Sequence, residues 1–208
     1  RFGGAIAGGR ELSLNTRVQL GYRFEWIEAD FPAGASHSRG ADIEPVHFDL
    51  VRGGSRLSAL SFTIIDDTRD DPFLPSTGRL WWFNAGAAFS AIGSSYDFGK
   101  MQFRAEGYRL LSWRHVLRLD AFVGVIVGDA PLFEKFFVGD LSDLVPSRLL
   151  ELSFDRRPPP NVFGTSIVEM RYEQLALRAG FEYSIPLVRH RGFFYGLDLF
   201  ASTGLIAL

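Results

Sequence analysis

An all-β chain, an antiparallel transmembrane β-barrel segment, is what this sequence predicts, and three observations predict it. Several stretches alternate apolar and polar side chains with a period of two for a dozen residues or more. Aromatic residues and glycine are plentiful, with 20 Phe, 6 Tyr, 4 Trp and 22 Gly in 208 residues. No apolar run approaches the roughly 18 consecutive residues of a membrane-spanning helix. Mild hydropathy with many aromatics suits a wall in which only every second side chain touches lipid.

The elements follow in order. A partial strand covers Phe2 to Gly8. The clearest alternation runs from Leu14 to Glu28: Leu14, Thr16, Val18, Leu20, Tyr22, Phe24 and Trp26 share one face, while Asn15, Arg17, Gln19, Arg23 and Glu25 share the other. A strand of that length would span roughly 40 Å, against the five or six residues usual in globular sheets. Ala29 to Arg56 is a long excursion rich in Gly, Pro and charge, in which Asp42 to Val51 could form a short strand. Weaker alternation marks Leu57 to Ile65 and Arg79 to Ser90, on either side of a charged turn.

Two strong strands come next. Phe98 to Tyr108 sets Lys100, Gln102, Arg104 and Glu106 against Met101, Phe103 and Ala105, and Leu117 to Val127 sets Arg118 and Asp120 against an unbroken apolar face. Ser112 to Arg114 is the tight turn between them. After a second long excursion, Asp129 to Ile167, the stretch Gln174 to Ile185 sets Arg178 and Glu182 against Leu175, Leu177, Ala179, Phe181 and Tyr183. Val188 to Arg191 is expected as a tight turn into a last strand, Phe193 to Leu205. Short turns at one end and long loops at the other are the asymmetry of an outer-membrane barrel. A soluble sandwich also alternates, but its strands are short and its turns come every 8 to 12 residues or so. Length favours the membrane barrel, as do Trp26, Trp81, Trp82, Trp113, Tyr22, Tyr108 and Tyr183, which are expected near strand ends as an aromatic girdle.

The charged turn, Asp66 to Gly78, contains Asp66, Asp67, Asp70 and Asp71 with Pro72 and Pro75. So many carboxylates raise the question of a calcium loop, whose ligands alternate along a flexible chain. The prolines stiffen this loop and the spacing is irregular, so a structural turn is the preferred reading. Arg69 is expected to pair with Asp67 or Asp70, and Pro75 and Gly78 to reset the chain for the next strand.

Composition excludes several function classes. Net charge is −2 with both signs interspersed, which argues against a nucleic-acid partner. The absence of cysteine removes disulfides, thiolate metal sites and thiol catalysis. His37, His47, His115 and His190 are scattered without ligand spacing, and neither a Gly-x-Ser-x-Gly elbow nor a phosphate loop is present. Lys100, Arg104, Glu106, Arg118, Asp120, Arg178 and Glu182 could be read as a catalytic cluster, but a hydrated, charge-paired lumen is the plainer account. No enzymatic activity, metal or cofactor is expected.

Two motifs carry a family resemblance over roughly residues 14 to 206. Asp67-Thr68-Arg69-Asp70, followed by Pro72, Pro75 and Gly78, resembles the Asp-x-Arg-Asp…Pro…Gly periplasmic turn of the BamA/TamA-type outer-membrane assembly barrels, the bacterial surface antigen family. Pro131-Leu132-Phe133-Glu134-Lys135-Phe136-Phe137-Val138-Gly139 resembles the start of that family's long, inward-folding loop six. The resemblance implies that Phe133, Glu134, Phe136, Phe137 and Gly139 belong to a plug wedged into the barrel wall, with Glu134 and Lys135 able to pair in the lumen. In the family, the loop continues after a Gly-Gly pair to an Arg-Gly-Phe or Arg-Gly-Tyr tip whose Arg enters the lumen. Here Asp140 stands at the second Gly and the tripeptide is missing, which leaves Arg148 as the closest positional candidate. Arg191-Gly192-Phe193 spells the tripeptide, but at a turn, and is read as coincidence.

By that resemblance the chain supplies about eight strands, the later half of a 16-strand barrel. It opens on Arg1 in mid-pattern and stops at Leu208, so residues 1–208 are expected to be a partial barrel domain completed by missing sequence or another chain. The implied function is insertion, assembly or translocation of proteins at the bacterial outer membrane. Its partners would be the lipid bilayer, client outer-membrane or secreted proteins, and accessory lipoproteins. The alternative is a membrane anchor or passive pore, and a soluble lipid-binding barrel is a third reading.

Overall fold

The computed structural model describes residues 1–30, 36–39, 42–45, 49–137, 172–191 and 194–207. Eight antiparallel strands form one meandering sheet: β1 (Phe2–Glu11), β2 (Thr16–Ala29), β5 (Gly53–Asp67), β6 (Gly78–Ala88), β7 (Phe98–Leu110), β8 (Val116–Gly128), β11 (Leu175–Arg191) and β12 (Phe194–Ala207). Two small antiparallel strand pairs belong to the long connections. One pairs β3 (Ser36–Arg39) with β4 (Asp42–Pro45), and the other pairs β9 (Phe136–Phe137) with β10 (Tyr172–Glu173). Among the described residues there is no α-helix, only 3-10 turns at Ser90–Ile92, Ser112–Arg114 and Leu132–Glu134.

Strands of 10 to 17 residues are long enough to cross a hydrocarbon layer, which takes about 9–11 tilted residues. The register fixes two opposite faces. On the outer face Leu20, Leu60, Phe103, Leu119, Phe181 and Leu205 lie among other apolar side chains, and none of the described residues covers them: Leu20 is 67 % exposed, Leu119 56 % and Leu205 74 %. A continuous apolar face of that extent needs an apolar solvent. The turns 12–15, 68–77 and 111–115 all lie at one end of the sheet, where β11 also ends and β12 begins. At the other end lie the loop 89–97, the end of β2 and start of β5, and the end of β8 and start of β11.

The inner face is divided along its length. Near the long-loop end Ile27, Leu57, Ala88, Phe98, Ile126 and Ala176 form an apolar layer with Tyr96, Ala130, Phe133 and Phe136 from the loops. Toward the short-turn end the same face carries charge. The charged lumen expected from sequence therefore occupies only part of the wall.

Several expectations are corrected. Leu14 lies in the turn ahead of β2, where the Ser13 hydroxyl accepts hydrogen bonds from the Asn15 and Thr16 amides. β1 is a full strand to Glu11, longer than the partial one expected. The Asp42 to Val51 stretch contributes only Asp42–Pro45, as half of a hairpin. Val188 to Arg191 is strand, not turn, because β11 continues past a register shift between Pro186 and Val188. Its ladder with β8 has already ended at Ser184, so Pro186 lies beyond it. Trp82 and Tyr108 face inward, opposite to Trp81, and Tyr22 sits in mid-strand; none of the three belongs to a strand-end girdle.

Candidate functional site

The turn 68–77 shows how its carboxylates are used. Asp67 takes a two-pronged pair from Arg69, at 2.8 Å from Nε and 2.7 Å from Nη2, and also accepts the Arg69 amide. Asp70 instead accepts the Ser76 hydroxyl and the Ser76 and Thr77 amides, while Asp71 accepts the Phe73 and Leu74 amides. Asp66 accepts from the Thr16 hydroxyl. Burial raises the Asp70 carboxyl, but the Ser76 hydroxyl and the two amides outweigh it and bring its pKa down to about 2. The Arg69 guanidinium is held above its ordinary value by the hydrogen bond to Asp67. Gly78 opens β6 at φ +98, where a Cβ would lie 2.2 Å from the Thr68 carbonyl oxygen, so this position requires glycine. Pro75 lies in the same turn.

On the inner face, Arg104, Glu106, Arg118 and Glu182 form one network across β7, β8 and β11. Glu106, 4 % exposed, accepts from the Tyr108 hydroxyl at 2.6 Å and pairs with Arg104 at 2.5 Å and Arg118 at 3.3 Å. Arg118 also reaches Glu182 at 3.7 Å. Arg178 and Asp120 pair separately between β11 and β8, at 2.8 Å. The two guanidinium groups and the Tyr108 hydroxyl together compensate the buried acid Glu106, as low-dielectric burial demands.

Lys100 stands apart from that network and joins the segment after β8. There Pro131 to Phe136 turns inward onto the apolar layer, and Phe133, Glu134 and Phe136 are all buried. Glu134 is an ion-pair partner of Arg23 on β2 and lies 3.5 Å from Lys100 Nζ on β7, which also donates to the Glu134 carbonyl oxygen at 2.7 Å. One short segment is thereby tied to two strands that are not neighbours. Lys135 does not pair with Glu134: successive side chains diverge at the extended Lys135, and its ammonium meets Asp49 at 2.5 Å.

The two phenylalanines are seated differently. Phe133 packs edge-on against Tyr96 with ring centres 6.3 Å apart, and the Arg1 guanidinium lies 4.5 Å above its ring. Phe136 sits edge-on to Phe122, with Lys100 Nζ 5.1 Å from its ring centre, directly over Gly124 of β8. A Cβ at Gly124 would lie 2.4 Å from the tip of that ring, so the missing side chain is the seat. Below the segment is a cavity of about 740 Å³ bordered by Arg23, Asn84, Lys100 and Gln102. Nearer the short turns a second, of about 420 Å³, is bordered by Arg17, Asp67, Arg69, Trp82, Arg104 and Arg178.

Sequence reasoning missed Arg23, Phe122 and Gly124 as partners of the segment. Arg23 had the signal of a polar-face position on the longest alternation, and Gly124 that of a glycine inside a strand, which often marks a close approach. Gly139 and Arg148 lie outside the described residues, and for Phe137 only the backbone is described, as part of β9.

A long-stranded sheet with an apolar outer face that no described residue covers, a charge-paired inner face and a loop segment folded onto that inner face is a section of membrane β-barrel wall. Residues 1–144 match the Omp85 superfamily domain, and the chain belongs to that superfamily. Its fold is similar to the crystal structure of BamA from Haemophilus ducreyi lacking POTRA domains 1-3, with a TM-score of 0.61 and 13 % sequence identity. The similarity covers 98 % of this chain and 41 % of that one, so the chain spans less than half the length of that structure. No curated protein matches the chain.

Proposed function

We propose that this chain is part of an outer-membrane barrel that inserts, assembles or translocates other proteins without covalent chemistry. The observation that carries the reading is the Pro131–Phe136 segment, pinned by Glu134 to β2 and β7 in a chain of the Omp85 superfamily. In this reading the segment is a plug that holds the shape of the wall, and Phe133 and Phe136 are its anchors. Gly139 and Arg148 belong to the continuation of the same loop, with Arg148 in place of the missing Arg-Gly-Phe tip. Client strands would be admitted at a weakly paired seam by strand addition.

The barrel is proposed to be larger than the described sheet, of about 16 strands. Among the described residues β1 and β12 each have one partner, and an unpaired strand edge in lipid leaves backbone groups unsatisfied at several kcal/mol each, by order of magnitude. The short turns would face the periplasm and the long loops the cell exterior, following the usual asymmetry. Accessory lipoproteins are candidate periplasmic partners. Depletion of the full-length protein in its own cells tests the function: the outer-membrane content of other barrels should fall. Unchanged levels of every other barrel would sink the assembly reading and leave the passive pore or membrane anchor.

A further inference from the structure

At the short-turn end of the outer face, a row of side chains runs without a break over four strands. Arg79 and Trp81 stand on β6, with the Arg79 guanidinium 4.3 Å above the Trp81 ring. Arg79 is paired across from Gly107, so Arg109, two residues further along β7, is its diagonal neighbour on the same face. Leu117 of β8 is paired with both Arg109 and Tyr183 of β11, which carries the row onward. His115, on the same face, hydrogen-bonds the Tyr183 hydroxyl and meets the Tyr183 ring edge-on at 5.4 Å and Trp113 at 6.1 Å.

The turn beneath this row is built against backbone preference. Trp113 and Arg114 both have left-handed φ, 60 and 65, which favour Gly or Asn over large side chains. The result of that conformation is an indole 87 % exposed, with an exposed Arg beside it. A bulky aromatic held outward at some conformational cost points to something outside the chain that receives it.

Charge at this rim is not balanced locally. Asp66, Asp67, Asp70 and Asp71 are engaged by Thr16 and Arg79, by Arg69, by Ser76 and Thr77, and by the Phe73 and Leu74 amides. The side chains of Arg109 and Arg114, by contrast, are exposed, and neither guanidinium has a hydrogen-bond or ion-pair partner among the described residues. Directly above them on the same strands lies the uncovered apolar face, with Phe103 and Leu119. Two open guanidinium groups, an outward indole and an adjoining apolar wall match a phosphate, a glycerol-level interface and acyl chains in that order.

We propose that this rim, centred on Arg109, Trp113 and Arg114, is a binding site for the headgroup of an anionic phospholipid. The site rests on the membrane reading above but not on the assembly activity. Arg109 and Arg114 hold the phosphate, Trp113 sits at the interface, and Arg79 stacked on Trp81 closes one side.

The test uses the full-length protein in mixed micelles with equal amounts of phosphatidylglycerol and phosphatidylcholine, and counts retained lipids by native mass spectrometry. The wild type is expected to retain phosphatidylglycerol several-fold over phosphatidylcholine, and Arg109→Gln/Arg114→Gln to fall to parity. A second variant, Trp113→Asn/Arg114→Gly, supplies residues suited to the left-handed turn; it should fold at least as well as the wild type and still lose most of the preference. Parity in the wild type, or an undiminished preference in both variants, overturns the site while leaving the membrane reading intact. Recovery of the protein from buffer without detergent would overturn both.

Discussion

The seat of Phe136 gives the sharpest prediction. Gly124→Ala adds one carbon at 2.4, 2.7 and 2.9 Å from three atoms of the Phe136 ring. Carbon atoms rest at about 3.5–4.0 Å, so the ring must withdraw by about 1 Å or more. Overpacking of this kind costs about 1–3 kcal/mol when neighbours yield. Here the ring also packs against Phe122 and Lys100, and its full ejection forfeits burial worth about 1.5–3 kcal/mol. Either way the segment loosens from the wall. Full-length protein in lipid vesicles should unfold at lower denaturant, followed by the shift of the folded band in unheated gels, and ion conductance across a planar bilayer should rise. Phe136→Leu shortens the ring and should make the alanine nearly harmless, giving a coupling of about 1 kcal/mol or more between the two sites. A Gly124→Ala protein with unchanged stability and conductance, or a coupling of zero, would refute the seating.

Other outcomes follow from the same geometry. Glu134→Gln removes the carboxylate that Arg23 and Lys100 share and should raise conductance with a stability loss of about 1.5–3 kcal/mol, the range for hydrogen bonds to charged groups; the measurements are the same two. Gly78→Ala forces a side chain into a left-handed residue against the Thr68 carbonyl, and should cost at least about 1–2 kcal/mol in denaturant unfolding, visible as loss of the folded band. The Asp70 turn has an acid limit: its pKa is lower folded, about 2, than the ordinary 3.8, so its contribution is complete above about pH 4 and is lost as pH falls through 2. Unfolding measured from pH 6 to pH 2 should show that loss in the wild type and a smaller one in Asp70→Asn.

How much of this was legible in the sequence depended on what each residue faces. The strands could be read because one face meets lipid along its whole length, and a uniform surroundings leaves a uniform period. The inner face has no such uniformity. Ile27, Leu57, Phe98 and Ile126 are buried there with Tyr96, Phe133 and Phe136, which come from loops whose path the strand pattern does not give. Choosing Asp67 over Asp70 as the partner of Arg69 was equally out of reach, since both lie within reach of one side chain and the Ser76 and Thr77 amides decide between them. Trp82 is a different case. Adjacent strand residues face opposite sides, so Trp81 and Trp82 could never both have met lipid, and the alternation alone should have moved Trp82 inward.

The tie at Glu134 also has a mechanical meaning. β2 and β7 are separated by β5 and β6, so the path between them along the wall is three strand spacings, about 14 Å. A single carboxylate that engages both acts as a chord across that arc. The wall cannot flatten or widen at this level without stretching the chord until one contact breaks, and the loop cannot depart without freeing the arc. Girth and loop position are therefore a single mechanical variable at this end of the barrel.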